Sequence, residues 1–170
     1  MSKDKERTQI LSASQIAQKI VRMAHEINER NYTEKELVVV GISGDGNTLA
    51  HRIAEQLSTL RNMQITLREI TLNKEKPEAA TTVFHGDLKE LKNKNVVLVD
   101  DVLNSGRTLI YASRFILDAS PRALSIATLV DRFHRRFPIR ADYVGLTLST
   151  NLKEHVSVEL KQGKEAVYLE

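Results

Sequence analysis

Apolar residues along the chain alternate between helical and strand-like spacing. From Ser14, read as an N-cap, Ile16, Ile20, Met23, Ala24 and Ile27 recur at helical intervals up to Asn31, which predicts an amphipathic helix. "ELVVVGIS" follows at 36–43, a β-branched run closing on glycine that reads as a buried strand. Leu49, Ile53, Leu57 and Leu60 mark a second helix face, and "MQITLREITL" at 63–72 is a second strand with alternating character. Residues 73–86 hold no sustained period and contain Lys74, Lys76 and Pro77; they predict a long, mostly irregular loop of the kind that carries function in compact domains. "NVVLVD" at 95–100 is the most β-branched segment, Arg107 to Leu117 is helical, and after the Ala119-Ser120-Pro121 break "ALSIATLVD" at 123–131 makes another strand. From Ala141 onward the pattern shifts to short strands around Tyr143, Val156–Leu160 and Ala166–Leu169, with a turn at Gln162-Gly163, together a small β appendage. The alternation predicts an α/β fold with a mainly parallel central sheet flanked by helices and a small C-terminal hairpin.

Composition narrows the class. The 170 residues fit one domain spanning 1–170, and 41% hydrophobic with 28% charged residues describe an ordered chain. With no cysteine there is no disulfide framework, thiolate zinc site or cysteine nucleophile, in keeping with a reducing compartment. The N-terminus lacks the apolar core of a secretory signal, and no apolar run approaches the roughly 20 residues that span a bilayer, so the expectation is a soluble, cytoplasmic protein with no membrane partner. A formal charge of +3 is too small to imply nucleic acid by itself; only local clustering of basic residues makes that case.

The chemistry is concentrated in "VVLVDDVLNSGRT" at 96–108. Parallel α/β sheets bind ligands at the carboxyl ends of their strands, where Asp100 and Asp101 fall. The loop after them, Leu103-Asn104-Ser105-Gly106-Arg107-Thr108, offers backbone N–H groups, two hydroxyls, an arginine and a helix start, all suited to a phosphate. Carboxylates repel a phosphate but accept hydrogen bonds from vicinal hydroxyls. Together the pair and the loop describe a sugar phosphate.

This stretch resembles the phosphoribosyl pyrophosphate (PRPP) loop of the type I phosphoribosyltransferases, an apolar strand, two acidic residues, a spacer and [TS]-G-x-T. Within that superfamily "IVRMAHEINERN", "VDRFHRRFPIRADYVG" and "VLVDDVLNSGRT" are similar to the bifunctional pyrimidine-operon attenuator and uracil phosphoribosyltransferase family, from about Ile16 to the C-terminus. The resemblance implies transfer of phosphoribose from PRPP to a pyrimidine, most naturally uracil, with pyrophosphate released, Mg2+ carried in on PRPP, a C-terminal hood and a homodimer or higher homo-oligomer. Asp100 and Asp101 would hold the ribose hydroxyls and face Mg2+ indirectly. Residues 103–108 would cradle the 5'-phosphate, and Lys74, on the flexible hood loop, would cover the site. Purine members carry an acid where Asn104 stands and a lysine where Asp131 stands; both differences point toward a pyrimidine. Asn151, Leu152 and Leu160 complete the implied base pocket.

The pyrophosphate loop departs from the pattern. Ser43-Gly44-Asp45-Gly46 places an acid where the attenuator family commonly has Lys or Arg. Backbone N–H groups of a glycine-rich turn still bind anions, but Asp45 adds charge of the wrong sign. A second reading follows: a nucleotide-sensing, RNA-binding regulator of the attenuator type with weak or no transferase activity. Arg22, His25, His134, Arg135 and Arg140 match basic positions of that family's RNA-binding face, and Arg132 and Arg136 add to the cluster, although Val21 and Leu146 replace polar or basic residues there. "GISGDGNT" also nearly matches a P-loop, yet Asn47 stands where its lysine must reach the terminal phosphates. His51, His85 and His155 show no partner at metal-ligand spacing and read as surface residues.

Overall fold

The structure, a computed structural model, describes residues 7–78 and 81–170. Its strands are β1 (Thr8–Ser12), β2 (Glu36–Ile42), β3 (Gln64–Thr71), β4 (Val83–His85), β5 (Asn95–Leu103), β6 (Ala123–Asp131), β7 (Tyr143–Thr147), β8 (Val156–Glu159) and β9 (Ala166–Leu169). The helices are α1 (Ala13–Arg30), α2 (Asp45–Leu60) and α3 (Arg107–Leu117), with a short 3-10 turn at Leu88–Leu91.

Six strands form the central sheet in the order β4-β3-β2-β5-β6-β7, parallel except for β4, which runs antiparallel to β3. Alternate residues of β2 and β5 serve two cores. Val39, Val97 and Val99 pack with Ile16 and Ile20 of α1 and with Leu49 and Ile53 of α2. Val38, Val40, Val96 and Leu98 pack on the opposite face with Leu109, Ala112 and Ile116 of α3. Burial of both faces explains why these strands read as unbroken β-branched runs. After β2 the chain moves outward to β3, then returns to place β5 on the other side of β2. The carboxyl ends of β2 and β5 therefore flank the point where winding reverses, the usual ligand crevice of such sheets.

Three sequence expectations change. The appendage is a three-stranded sheet, β1-β9-β8, rather than a hairpin, because Thr8–Ser12 pairs antiparallel with β9. Tyr143 belongs to β7, which extends the central sheet beside β6 and leaves the appendage to β8 and β9. The irregular stretch 73–86 contains β4, held by Glu69↔His85 and Ile70↔Phe84 pairing. A smaller revision concerns α1. Its cap is Ser12, whose hydroxyl accepts from Gln15 N–H at 3.3 Å while the Gln15 side chain accepts from Ser12 N–H at 2.9 Å, a reciprocal box that Ser14 cannot make from inside the helix. The apolar side of the small sheet, Leu11, Val156, Val158 and Val167, joins the core under α1 and α2, so the hood is packed onto the sheet. Among the described residues no helix is long and apolar enough to cross a membrane.

Candidate active site

Strand β5 delivers Asp100 and Asp101 to the crevice. Asp100 is 3% exposed, and its Oδ1 accepts from the Asp101 backbone N–H at 3.0 Å. The Lys74 ammonium lies 3.2 Å from Asp100 Oδ1 and 3.7 Å from Asp101 Oδ1. Burial, reinforced by the Asp101 charge and only partly offset by Lys74, pushes the Asp100 carboxyl up to about 8. Burial opposes charge on Lys74, but Asp100 and Asp101 outweigh it and raise the ammonium above its ordinary value.

A raised folded-state value means that Asp100 favours the fold below its unfolded value of about 4 and loses that contribution as pH rises through about 8. The ligand-free melting temperature is therefore expected to fall between pH 5.5 and 8.5. Asp100→Asn should raise the melting temperature at pH 8.5 and do so by a clearly smaller amount at pH 5.5, nearer the unfolded value; calorimetry at the two values checks this.

Helix α2 starts hard against the acidic pair. A Cβ on Gly46 would sit 2.7 Å from Asp100 Oδ1, 3.1 Å from Asp100 Cα and 3.2 Å from the Val99 carbonyl oxygen, so the glycine permits the approach. Just before it, Gly44 adopts φ +94 and opens the helix without a side-chain cap. Asp45 Oδ1 accepts a long hydrogen bond, 3.4 Å, from Leu160 N–H in the hood. Burial and the neighbouring Asp101 raise the Asp45 carboxyl above its ordinary value. The Ser43 hydroxyl is already engaged with Glu69, donating to Oε1 at 2.6 Å, and lies 2.5 Å from Thr71 Oγ1. The turn at Ser43–Gly46 thus meets two acidic side chains, Asp45 and Glu69, with the Lys74 ammonium near enough to act on Asp45.

Residues 103–108 turn from β5 into α3. Gly106 takes φ +84 as the N-cap of α3, and a Cβ there would lie 2.4 Å from Ile139 Cγ2, so both backbone and space demand glycine. Gly106 has no side chain to cap α3, and the Ser105 hydroxyl accepts only the Arg107 N–H, at 3.3 Å, which leaves further first-turn N–H groups for an anion. Residues Asp100 and 102–109 enclose a recess of about 40 Å³. It adjoins a cavity of about 540 Å³ lined by Lys74, Asp100, Asp101, Val102, Asn104, Ser105, Arg107 and Thr108 on one side and by His155–Val158 on the other. Arg107 also pairs with Glu78 at 2.5 Å, tying residues 75–78 to the loop.

Several expected positions fall elsewhere. Leu160 is 3% exposed in the hydrophobic core, Leu152 is 89% exposed, and the Asn151 side chain accepts from Lys153 and Glu154 N–H groups; none of the three lines the cavity. Asp131 is buried and spends its oxygens on the Phe133 N–H at 3.0 Å and on Arg135 at 2.5 Å, organising its own loop. Arg132 is buried as a clamp: it donates to Asn104 Oδ1 at 2.8 Å, to Thr150 Oγ1 at 3.1 Å and to the Glu154 carbonyl at 2.5 Å. That role removes it from any phosphate-binding surface. Of the remaining basic cluster, Arg22 spends hydrogen bonds on the Val144 and Gly145 carbonyls, His134 donates to the Thr150 carbonyl at 2.6 Å, and His25, Arg135, Arg136 and Arg140 are exposed. The cavity wall also contains residues that spacing did not single out, Val102, His155 and Ser157. Alternation along β8 was the available signal for His155 and Ser157, which fall on the side opposite the core-facing Val156 and Val158.

A phosphate recess beside an acidic pair at a topological switch point, under a hood, defines a type I phosphoribosyltransferase. The phosphoribosyl transferase domain model matches residues 6–162, and the chain belongs to that family, in its PyrR group. "Bifunctional protein PyrR" of Chloroflexus aurantiacus is 40% identical over 170 residues, covering 91% of this chain and 88% of its own, and that of Streptomyces coelicolor is 42% identical over 171 residues, covering 94% and 88%. Among solved structures, the hypoxanthine phosphoribosyltransferase of Trypanosoma cruzi superposes with a TM-score of 0.78 at 16% identity over 95% of both chains. A hypoxanthine-guanine phosphoribosyltransferase of Bacillus anthracis gives 0.69 at 25% identity, covering 83% and 81%.

Proposed function

We propose that the protein transfers phosphoribose from PRPP to uracil, giving UMP and pyrophosphate. The observation that carries this reading is Asp100 and Asp101 facing the same cavity as the phosphate recess of residues 103–108. In this reading the recess holds the 5'-phosphate and the acidic pair accepts from the ribose hydroxyls. Departure of pyrophosphate builds positive charge on the sugar ring, which the nearby carboxylates stabilise, so the protein's part is positioning and electrostatics.

Lys74 begins beside Asp100 and Asp101 and turns to the leaving group as PRPP displaces it. The donor set suits a hard cation that shares its shell with substrate oxygens: two carboxylates at one strand end, and no group of three His, Cys, Asp or Glu side chains placed to hold an ion among the described residues. Asp100 and Asp101 would face a Mg2+ carried in on PRPP, which would supply neutralisation of pyrophosphate charge.

The uracil assignment rests on what the wall offers. Asn104 presents a carboxamide whose oxygen is already engaged by Arg132, so no carboxylate faces a purine imidazole there. The buried, doubly bonded Asp131 supplies no ammonium donor for a 6-oxo group. Nucleotide formation from Mg-PRPP with uracil, hypoxanthine and guanine in parallel tests this. Uracil is expected to react with at least about 100-fold higher kcat/KM, the discrimination usual where a site is built around particular hydrogen bonds; preferential turnover of a purine overturns the assignment.

One observation favours a second reading, a regulator that binds nucleotide and RNA with little turnover: Asp45 and Glu69 bracket the pyrophosphate position. Asp45→Arg is expected to raise kcat/KM for PRPP about tenfold by reversing one such charge. No change, or a loss, would mean that the loop's backbone N–H groups already suffice. In either reading we place the protein in the cytoplasm as a homodimer, the commonest closed assembly.

A further inference from the structure

Phe133 is out of place by every local criterion. It holds φ +60, a conformation that L residues with bulky side chains avoid, and the residue is 59% exposed. Nothing about this geometry is loose. Asp131 Oδ1 accepts the Phe133 N–H at 3.0 Å, and Asp131 Oδ2 holds Arg135 at 2.5 Å. The Arg136 and Phe137 N–H groups both donate to the Ser105 carbonyl, at 2.8 and 3.1 Å, and the flanking Arg132 and His134 are fastened to Thr150. The result is a rigid turn that presents an aromatic face to solvent at a cost in backbone strain and exposed apolar surface. The Arg135 guanidinium stands 5.1 Å from the ring centroid, and Arg135 and Arg136 are both exposed.

We propose that Phe133, with Arg135 and Arg136, is a stacking seat for one unpaired base of single-stranded RNA. This rests on the RNA-binding reading above and adds to it a specific residue and contact. An exposed aromatic flanked by arginines matches what a flexible strand needs: a π-face for a base, and cations for the phosphates on either side. Double-stranded RNA fits poorly, because its bases are already stacked and a single protruding ring has no groove to fill.

The chain contains no tryptophan, so Phe133→Trp creates a unique fluorophore at the seat. The probes are a 12-nucleotide mixed-sequence single strand and its duplex, titrated against the full-length protein. Phe133→Trp is expected to bind the single strand with wild-type affinity and to be quenched by it, while the duplex leaves the signal unchanged. Phe133→Gly relieves the positive φ, so it should raise the melting temperature yet weaken single-strand binding about tenfold. Wild-type affinity in Phe133→Gly overturns the seat even if RNA is bound elsewhere on the protein. Absence of any RNA binding by the wild type overturns the RNA reading and the seat together. A lowered oligomeric state of Phe133→Gly in sedimentation would assign the ring to a subunit contact and overturn the proposal too.

Discussion

Asp101→Asn is expected to lower kcat/KM for nucleotide formation by about 100-fold while leaving the melting temperature nearly unchanged. The separation follows from where the group sits. Its side chain is partly exposed, and among the described residues its one ion-pair partner is Lys74 at 3.7 Å, so the fold hardly depends on it. Its proposed work is to accept from a ribose hydroxyl and to face the cationic sugar of the transition state. A hydrogen bond to a charged group is worth roughly 1.5–3 kcal/mol, or about one to two powers of ten in rate. The substitution also relieves Asp100 of a neighbouring charge, so the melting temperature, unchanged at acidic pH, should fall less than the wild type's toward pH 8.5. Steady-state rates over a range of PRPP concentrations, with thermal denaturation of the same preparation, check both halves. A variant with full activity would remove the acidic pair from the mechanism.

Gly46→Ala is the second large effect, and it acts through packing. The added methyl meets Asp100 Oδ1 at 2.7 Å and the backbone of Asp100 and Val99 at 3.1 and 3.2 Å. Rotation of the carboxylate relieves the first contact but none of the backbone ones, so α2 has to move away from β5. Overpacking of this kind costs about 1–3 kcal/mol. Because the same shift displaces Asp100 and the pyrophosphate loop, activity should fall by about 100-fold, as misplacement by an ångström commonly does. Denaturant unfolding and initial rates measure the two losses, and a stable, fully active variant would contradict the close approach.

The parts of this molecule that were legible in the sequence are those decided locally. "NVVLVD" and "ALSIATLVD" are apolar on both faces, which only a covered parallel sheet requires, and Arg107–Leu117 begins and ends where its sequence predicts a helix. The turn into α3 was legible because Gly106 and the helix start are consecutive in the chain. What escaped depended on distant partners. Thr8–Ser12 is too short and too polar to announce a strand and becomes one by pairing with residues near 167, at the other end of the chain. Tyr143–Thr147 resembles an appendage strand until β6 is beside it. The expected base-pocket residues shifted for a related reason: Leu160 follows the inward side of the hood strand into the core, and the cavity is faced instead by His155–Val158. Arg132 read as a surface cation because its neighbours are basic, and only the fold supplies the Asn104, Thr150 and Glu154 acceptors that bury it.

The claim on which the rest depends is that the 5'-phosphate of a ribose sits on residues 103–108. Backbone amide chemical shifts recorded during titration with ribose 5-phosphate test it directly. The expected result is saturable movement of the Asn104 to Thr108 amides, with a smaller response at Asp100 and Asp101. Shifts confined to Ser43–Thr48, the other glycine-rich turn in the crevice, would contradict it and move the phosphate to the wrong side of the acidic pair for phosphoribosyl transfer.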